Sequence, residues 1–260
     1  MQRLARLAAE WTKSQSRCLA RLVCPPECAW CESPCPNGER FCVACRARLV
    51  SDYYGCQRCA MPLPTVVPNE DCFRCRPHRW KFSQVVALGP YRGRLREAVI
   101  LAKKQSYESL RIGLAQLMAE RLAGRVVSAT GQKPLVIPVP NHWTRIFAQT
   151  AATTDSLAYA IGGQLGWDVK TNAVRRIRKT AKQGMLAWSQ RVGNVRRAFV
   201  VGKASVVAGR HICLVDDVLT SGATAAELAK CLMREGADRV TVAVIARGTG
   251  ARDRNVTIDS

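Results

Sequence analysis

Two adjacent carboxylates, Asp216 and Asp217, stand where a strongly apolar run of the sequence ends. The run before them is Ile212–Val215, and the small hydroxylated stretch Thr220–Thr224 follows two residues later. Backbone N–H groups and hydroxyls in such a turn bind phosphate, and a glycine lets the phosphate approach closely. Side-by-side carboxylates can hold sugar hydroxyls or a hydrated Mg²⁺. These residues therefore predict a site for a phosphorylated sugar.

The elements that must position this turn can be predicted from the residues on either side. Ile212–Val215 is apolar at every position, which is typical of a strand buried on both faces of a parallel sheet. A helical pattern follows Gly222. The plainer interpretation is an ordinary βα turn whose polar residues serve solubility alone.

The stretch resembles the motif with which type I phosphoribosyltransferases bind phosphoribosyl pyrophosphate (PRPP). That motif has four apolar residues, two acids, two apolar residues and then T-[TS]-G-x-T, and the match covers 13 consecutive residues. The resemblance implies an α/β fold with an open parallel sheet flanked by helices, PRPP bound together with Mg²⁺, and catalytic roles for the two carboxylates. The implied ligand-binding residues are Asp216, Asp217, Val218, Leu219, Thr220, Ser221, Gly222, Ala223 and Thr224.

The chain is strongly basic. Its 260 residues, 48% of them apolar, are enough for one good-sized domain and a small one. Lys and Arg number 40 against 19 Asp and Glu, a formal net charge of +21. Residues 1–80 hold 12 basic and 7 acidic residues, and residues 81–260 hold 28 and 12. This balance favours a polyanionic partner, such as nucleic acid, a phosphorylated metabolite or an anionic membrane surface.

No run of the sequence approaches the ~20 apolar residues of a membrane span. Residues 1–23 carry leucines at roughly helical spacing, and charges such as Arg3 and Glu10 interrupt them. We therefore predict an amphipathic helix there rather than a signal peptide, with a membrane or partner helix as the alternative. The chain as a whole is expected to be cytoplasmic.

Eleven of the 13 cysteines lie between Cys18 and Cys75. Eight of them form four C-x-x-C pairs, a pattern that indicates metal binding in a cytosolic protein. Tetrahedral Zn²⁺ takes four thiolates, so we expect one or two structural zinc ions. Sequential pairing of the knuckles is the simplest arrangement, a cross-braced one also fits the spacing, and Cys24 and Cys35 are alternative ligands. The predicted ligands are Cys28, Cys31, Cys42, Cys45, Cys56, Cys59, Cys72 and Cys75.

From residue 84 onward the sequence alternates between strand and helix patterns. Lys103 and Lys104, at the end of one helix, suit the helix dipole and are also candidates to face a phosphate. The residues from Arg247 to Ser260 are predicted to form a tail. The predicted strands are Gln84–Leu88 (ended by Gly89 and Pro90), Pro134–Pro140 and Arg239–Ala246, and the predicted helices are Arg94–Lys103, Ser109–Leu122 and Thr154–Leu165, the last capped by Gly166.

Between Asp168 and Asp216 there is no acidic residue, while eleven lysines and arginines occur there. One interpretation is a mobile basic arm over an anionic ligand. A second is a track for nucleic acid, with Trp188 available for stacking. The third is a solvated charged face without a ligand.

Several parts of the chain together resemble the competence protein F (ComF) family, whose members join a cysteine-knuckle module to a phosphoribosyltransferase-like domain. The parts are the C-x-x-C series, Pro138–Pro140 with His142 after it, residues 180–199, and the stretch from Val215 to Thr224. The resemblance implies a zinc-binding module at residues 1–80 and a phosphoribosyltransferase-like domain at residues 81–260. It also implies a role in the uptake or processing of transforming DNA, with proteins of DNA uptake as partners. The net charge of +21, the acid-free segment and the cysteine module favour single-stranded DNA or another polyanion as a further partner.

The resemblance supplies further candidates. A pyrophosphate loop would contain His142 and Arg145, and a flexible arm would contain Lys179, Lys182 and Gln183. The loop departs from the family pattern, because residues 142–150 hold one arginine and no glycine where the family has a run of arginines and then R-G-F-N-Q. This departure bears on turnover more than on binding of the ribose phosphate.

Three functions follow. The first is a phosphoribosyltransferase, a transferase of nucleoside metabolism, or a close relative that binds PRPP. The second is a nucleic-acid-binding accessory protein with a catalytically impaired transferase fold. The third is a sensor that binds PRPP or a nucleotide without turnover.

Overall fold

A computed structural model of the chain describes residues 26–35, 39–64, 72–78, 80–126, 131–140, 152–178, 180 and 188–249. The chain divides into two compact units, one ending at Arg48 and the other beginning at Leu49. The helix predicted for residues 1–23 and the tail from residue 250 onward lie outside the described residues. The domain border expected near residue 80 stays a prediction.

The predicted strands and helices are present, with their ends shifted by a few residues. Short 3₁₀ helices at Gln105–Tyr107 and Ala204–Val206 join some of them. The strands are β1 (Gln84–Pro90), β2 (Leu135–Pro138), β3 (Val174–Arg176), β4 (Phe199–Val201), β5 (His211–Leu219) and β6 (Arg239–Arg247). The α-helices are α1 (Val43–Leu49), α2 (Gly93–Ala102), α3 (Glu108–Ala123), α4 (Ala152–Leu165), α5 (Trp188–Val195) and α6 (Ala223–Arg234).

The main sheet has the strand order β1-β6-β5-β2, and all of its neighbouring strands are parallel. The two central strands, β5 and β6, are buried along most of their length, as their apolar sequences predict. Because the strands are parallel, their carboxyl ends share one edge of the sheet, where ligands bind in open α/β folds. The predicted α/β class with an open parallel sheet is confirmed.

Helices cover both faces of this sheet. On one face, Leu228 and Leu232 of α6 belong to a core cluster with Val240, Val242 and Val244 of β6. Residues of β6 at alternate positions point to the other face, where α3 contacts β1 and β6 while α4 contacts β2 and β5. Gly166 ends α4 with φ of 63°, the left-handed conformation expected of a helix C-cap glycine.

Two sequence predictions about strand ends were wrong. Gly89 and Pro90 do not end β1, since they pair with Ala246 and Arg247 of β6. Proline is tolerated there because β1 is an edge strand and needs no donor on its outer side. Arg247 does not begin a tail either, because it is the last residue of β6 and only 2% exposed.

The acid-free segment contains regular structure. Its strands β3 and β4 form a separate antiparallel pair, and α5 lies between them in sequence.

Within the described ranges, no helix combines the length and the apolar character that a bilayer crossing requires.

Candidate ligand site and cysteine groups

The predicted ligand turn, Thr220–Thr224, lies at the carboxyl edge of the sheet. Asp216 and Asp217 occupy the last half of β5, and α6 begins within the turn, at Ala223. The structure thus brings the acidic pair and the amino end of α6 together as the sequence predicts. Backbone N–H groups at the start of a helix favour an anion.

Gly222 gives the turn its shape. Its φ of 78° lies in the left-handed region, a backbone conformation that residues with a Cβ rarely adopt. A Cβ placed there would lie 3.4 Å from the ring of Trp80. The hydroxyl of Ser221 accepts a hydrogen bond from the backbone N–H of Ala223, 3.3 Å away. Glycine is therefore favoured by the backbone angle, whereas the indole leaves room for a Cβ at van der Waals distance.

Backbone N–H groups and one lysine side chain bind the two carboxylates. Oδ1 of Asp216 accepts from the N–H of Asp217 (2.9 Å), and Oδ1 of Asp217 accepts from the N–H of Val218 (2.7 Å). Oδ2 of Asp217 lies 2.8 Å from Nζ of Lys103. Lys103 thus faces the acidic pair, and one oxygen of each carboxylate remains outside these backbone bonds.

The surroundings oppose full ionisation of the pair. Part of Asp216 is accessible. Nevertheless, protein encloses its carboxyl group, and this burial, together with the charge of Asp217, raises the pKa of Asp216 to about 8. The backbone N–H of Asp217 and the charge of Lys103 lower that pKa by less. A cation or a hydroxyl donor at this place would stabilise the charged form of the pair.

Arg247 holds the start of the ligand turn through hydrogen bonds to backbone carbonyls. Its Nη1 donates to the carbonyl of Leu219 (2.8 Å), to that of Thr220 (2.6 Å) and also to that of Gly248. Its Nε donates to the carbonyl of Cys59 at 2.8 Å. The buried guanidinium therefore joins the entry of the ligand turn to the second cysteine group.

Arg176 places a second, half-buried guanidinium near the acidic pair. Burial lowers the pKa of Arg176, and the charge of Asp216 acts in the opposite direction. Its Nη1 donates to Oγ1 of Thr180 (2.5 Å) and its Nη2 to the carbonyl of Pro140 (3.4 Å). Pro140 precedes the predicted pyrophosphate loop, and Thr180 lies in the predicted flexible arm. Arg176 therefore hydrogen-bonds to a residue of the arm and to a residue near the start of the loop.

The remaining candidates from the sequence lie outside the described residues. They are His142 and Arg145 of the pyrophosphate loop and Lys179, Lys182 and Gln183 of the flexible arm. Their roles stay predictions.

The eight knuckle cysteines form two groups of four, paired in sequential order. The first group is Cys28, Cys31, Cys42 and Cys45, and the second is Cys56, Cys59, Cys72 and Cys75. Within each group the sulfur atoms all lie within 4.8 Å of one another. Cross-bracing is therefore not the arrangement, and Cys35 belongs to neither group, while Cys24 lies outside the described residues.

The sulfur distances fit a tetrahedral ion. A Zn–S bond of ~2.3 Å places tetrahedral sulfurs ~3.8 Å apart. The Cys31–Cys42 distance is 3.7 Å, and in the second group the Cys56–Cys75 and Cys59–Cys72 distances are 3.9 Å and 3.5 Å. Four soft thiolates without an oxygen ligand suit zinc, and no ligand position is left for a substrate.

The thiol pKa values indicate that a cation would stabilise the second cysteine group. A hydrogen bond with Cys75 lowers the pKa of Cys59 to about 5, and that bond and burial raise the pKa of Cys75. Without a cation, one thiolate is gained at the expense of its neighbour. A divalent ion would remove this conflict by stabilising all four thiolates.

Sequence reasoning missed Arg247, Arg176 and Trp80 as parts of the site. Trp80 packs against both the second cysteine group and the sheet core, and its ring stacks on Phe82 with centroids 5.2 Å apart. Arg247 had one usable signal, since an arginine directly after an apolar strand lies at the ligand edge of a parallel sheet.

Comparisons with known proteins give relatives along most of the chain. The DNA utilization protein YhgH of Shigella flexneri is 31% identical over 234 residues, covering 87% of this chain and 99% of the relative. Competence protein F of Haemophilus influenzae is 28% identical over 211 residues, covering 80% and 90%. No protein-family model matches the chain.

Among solved structures, a hypoxanthine phosphoribosyltransferase from Trypanosoma cruzi complexed with the product IMP is similar to this chain. It is 12% identical, covers 59% of this chain and 70% of its own, and superposes with a TM-score of 0.35.

Proposed function

The chain belongs to the family of DNA utilization protein YhgH and competence protein F, and we propose that it binds PRPP or a related ribose 5-phosphate ligand at Asp216–Thr224. The name of the first relative, DNA utilization protein, connects the family with the use of DNA. The observation that carries the proposal is the junction at the end of β5, where two carboxylates, a glycine turn and a helix start meet at the carboxyl edge of the sheet.

Each part of this junction has a chemical task. The 5′-phosphate would accept hydrogen bonds from the backbone N–H groups of Thr220–Thr224, helped by the dipole of α6. Asp216 and Asp217 would hold the ribose hydroxyls, directly or through Mg²⁺. Mg²⁺ bound with PRPP would supply positive charge beside the pyrophosphate. Lys103 keeps Asp217 oriented and lessens the repulsion within the pair.

The cysteine groups are proposed to hold one structural zinc ion each. Their all-thiol ligands and sulfur distances support this assignment. The second ion would fix the knuckle whose Cys59 carbonyl is bound by Arg247. Zinc therefore has a supporting role at the ligand turn and no chemical one.

Isothermal titration calorimetry with PRPP and Mg²⁺ tests the ligand. The wild-type protein is expected to bind, and the double variant Asp216→Asn/Asp217→Asn is expected to lose most of the affinity. A matched control is Asp238→Asn, which also removes a carboxylate but lies in the turn before β6. Absence of heat at millimolar PRPP with the wild-type protein would refute the proposal, and release of pyrophosphate in the same samples would report turnover.

A second proposed function is binding of nucleic acid, favoured by the charge of +21 and by the acid-free segment between Asp168 and Asp216. Phosphate contacts by lysine and arginine make affinity fall steeply with salt, with a slope of about −0.7 per contact for single strands. Fluorescence anisotropy with labelled single-stranded DNA over a salt series measures this slope. Weak affinity that does not change with salt would count against this function.

The double variant also separates the two functions and the sensor alternative. If the double variant loses PRPP binding but keeps DNA binding, and cells that carry it behave like cells with the wild-type protein, the acidic pair is not the functional centre. If both ligand binding and phenotype are lost without any pyrophosphate release by the wild type, sensing without turnover is supported.

A further inference from the structure

A cavity on the β2 side of the sheet combines positive charge with an exposed aromatic ring. It has a volume of about 480 Å³ and is lined by residues of α4, of the segment 169–173, of β3 and of the segment 202–206. We call it the Tyr159 pocket, after the aromatic residue on its wall. It shares no described lining residue with Asp216–Thr224. We infer that the Tyr159 pocket binds a nucleotide, either free or as one unit of a single strand.

Three cations supply the charge of the pocket. Lys170, Arg175 and Lys203 line it and are exposed, and the described lining residues include no Asp or Glu. In the described part of the chain, none of the three forms an ion pair with a carboxylate. Their charge is therefore available to a phosphate group.

Tyr159 supplies a flat ring at the same place. The side chain is 57% exposed although it lies on α4, a helix whose Leu157, Ala158 and Ile161 are fully buried. Stacking of a base on such a ring contributes about 1–3 kcal/mol and tolerates any sequence. Val169 and Val206 add apolar surface to the pocket. A merely solvated basic face does not account for an exposed ring beside a concave apolar surface.

The backbone of the pocket is fixed by hydrogen bonds. Lys170 donates its N–H to the carbonyl of Val136 in β2 at 2.9 Å, and Gly202 donates to the carbonyl of Ala173 at 2.9 Å. Arg175 pairs with Val200 in the β3–β4 ladder. Because regular structure holds the cationic positions, the pocket is largely formed before a ligand arrives, as ordinary ligand sites of 300–1,000 Å³ are.

The inference deepens the nucleic-acid proposal and names the place where it acts, but it can fail separately. A free mononucleotide and a nucleotide of single-stranded DNA both present a phosphate and a flat base to the pocket. The two sources are separated by using AMP in one arm of the experiment and a labelled oligothymidylate in the other.

The experiment measures binding of both probes to the full-length protein and to matched variants. Tyr159→Ala is expected to weaken binding about 10-fold, which corresponds to about 1.4 kcal/mol, whereas Tyr159→Phe keeps the ring and the affinity. Lys170→Gln/Lys203→Gln is expected to weaken oligonucleotide binding and to reduce its salt slope by about 1.4. Lys230→Gln, on the exposed surface of α6, removes one charge away from the pocket and serves as control.

Each outcome decides the matter. Loss of oligonucleotide affinity in Tyr159→Ala supports a single-strand site, and loss of AMP affinity alone supports a free nucleotide site. If Tyr159→Ala binds every probe that the wild type binds with unchanged affinity, the inference is overturned, and the nucleic-acid proposal stands as long as the wild type binds the oligonucleotide. If wild type binds neither probe, both are overturned. Circular dichroism and Tm show whether each variant is folded.

Discussion

Arg247 donates a hydrogen bond from Nε to the carbonyl of Cys59, 2.8 Å away and 188 residues earlier in the chain. The same guanidinium holds the carbonyls of Leu219 and Thr220 at the start of the ligand turn. One buried side chain thus contacts both the second cysteine group and the turn that we propose binds a ribose phosphate. A change in either is expected to be felt by the other.

Replacing Arg247 by lysine tests this connection. Lysine keeps the charge but cannot bond the Cys59 and Thr220 carbonyls together, because it lacks the fork of donors. Hydrogen bonds from a charged group contribute about 1.5–3 kcal/mol each, so we expect a lower Tm and a Kd for PRPP with Mg²⁺ raised about 10-fold. Calorimetric titration measures the Kd and differential scanning calorimetry the Tm.

Arg239→Lys is the matched control, since Arg239 starts the same strand and is exposed. It should leave both quantities unchanged. Equal PRPP affinity in Arg247→Lys and Arg239→Lys would show that the guanidinium only stabilises the fold.

Gly222→Ala should damage the turn. The left-handed φ of 78° costs a residue with a Cβ about 1–2 kcal/mol, whereas the new Cβ would lie at ordinary contact distance, 3.4 Å, from Trp80. We expect Tm to fall by about 2–4 °C per kcal/mol and PRPP affinity to drop with it. Gly163→Ala is a suitable comparison, because Gly163 lies within α4 with open space around it and alanine there is expected to stabilise by about 0.5–1 kcal/mol.

The acidic pair should make the unliganded protein less stable as pH rises. In the unfolded chain an aspartate loses its proton near pH ~3.9. In the folded protein the pKa of Asp216 is raised to about 8. Between these values the folded state holds more protons, so this group's contribution to stability is complete at low pH and is lost as pH approaches 8.

Asp216→Asn cannot ionise and should flatten that dependence. Without ligand, we expect the variant to be more stable than wild type at pH 8 by ~1 kcal/mol or more, about 2–4 °C in Tm, and by much less at pH 5. Thermal unfolding followed by circular dichroism at both pH values measures the difference. A constant difference in Tm across this range would show that Asp216 does not titrate as described.

The two proposed zinc ions should be released at different rates. Cys31 of the first group is exposed and Cys42 is partly exposed, whereas all four cysteines of the second group are buried. A chelator reaches an ion through solvent, so a colorimetric zinc assay is expected to count two ions per chain, one released quickly and one slowly. Cys31→Ser should remove the fast phase and Cys59→Ser the slow one. A single ion per chain, or one phase common to both, would contradict the assignment.

Local patterns predicted much of the site. The apolar run before Asp216 has no alternation, which indicates a buried parallel strand, and Gly222 marks a turn where the backbone can approach a phosphate closely. Spacing alone suggested sequential pairing of the knuckles, which the sulfur distances confirm. Such features depend on residues close together in the chain, and for that reason they can be inferred from it.

Contacts between distant residues could not be predicted in this way. Arg247 follows an apolar run and precedes a polar stretch, so the sequence favours a tail, yet the residue is buried against carbonyls of two other segments. Lys103 had two local explanations, and neither included its ion pair with Asp217, 114 residues later. The approach of these side chains is set by the order of strands in the sheet, which no local pattern contains.

The strand order also has a consequence for synthesis of the chain on the ribosome. β1 pairs only with β6 in the main sheet, and their register partners Gln84 and Thr241 are separated by 157 residues. At about 5–20 residues per second, the first strand waits about 8–30 s for its neighbour to be made. During that time its unpaired backbone edge and its apolar side chains are open to other chains. We therefore expect early nascent chains to depend on chaperones, and a chain that stops before Arg239 to aggregate rather than fold.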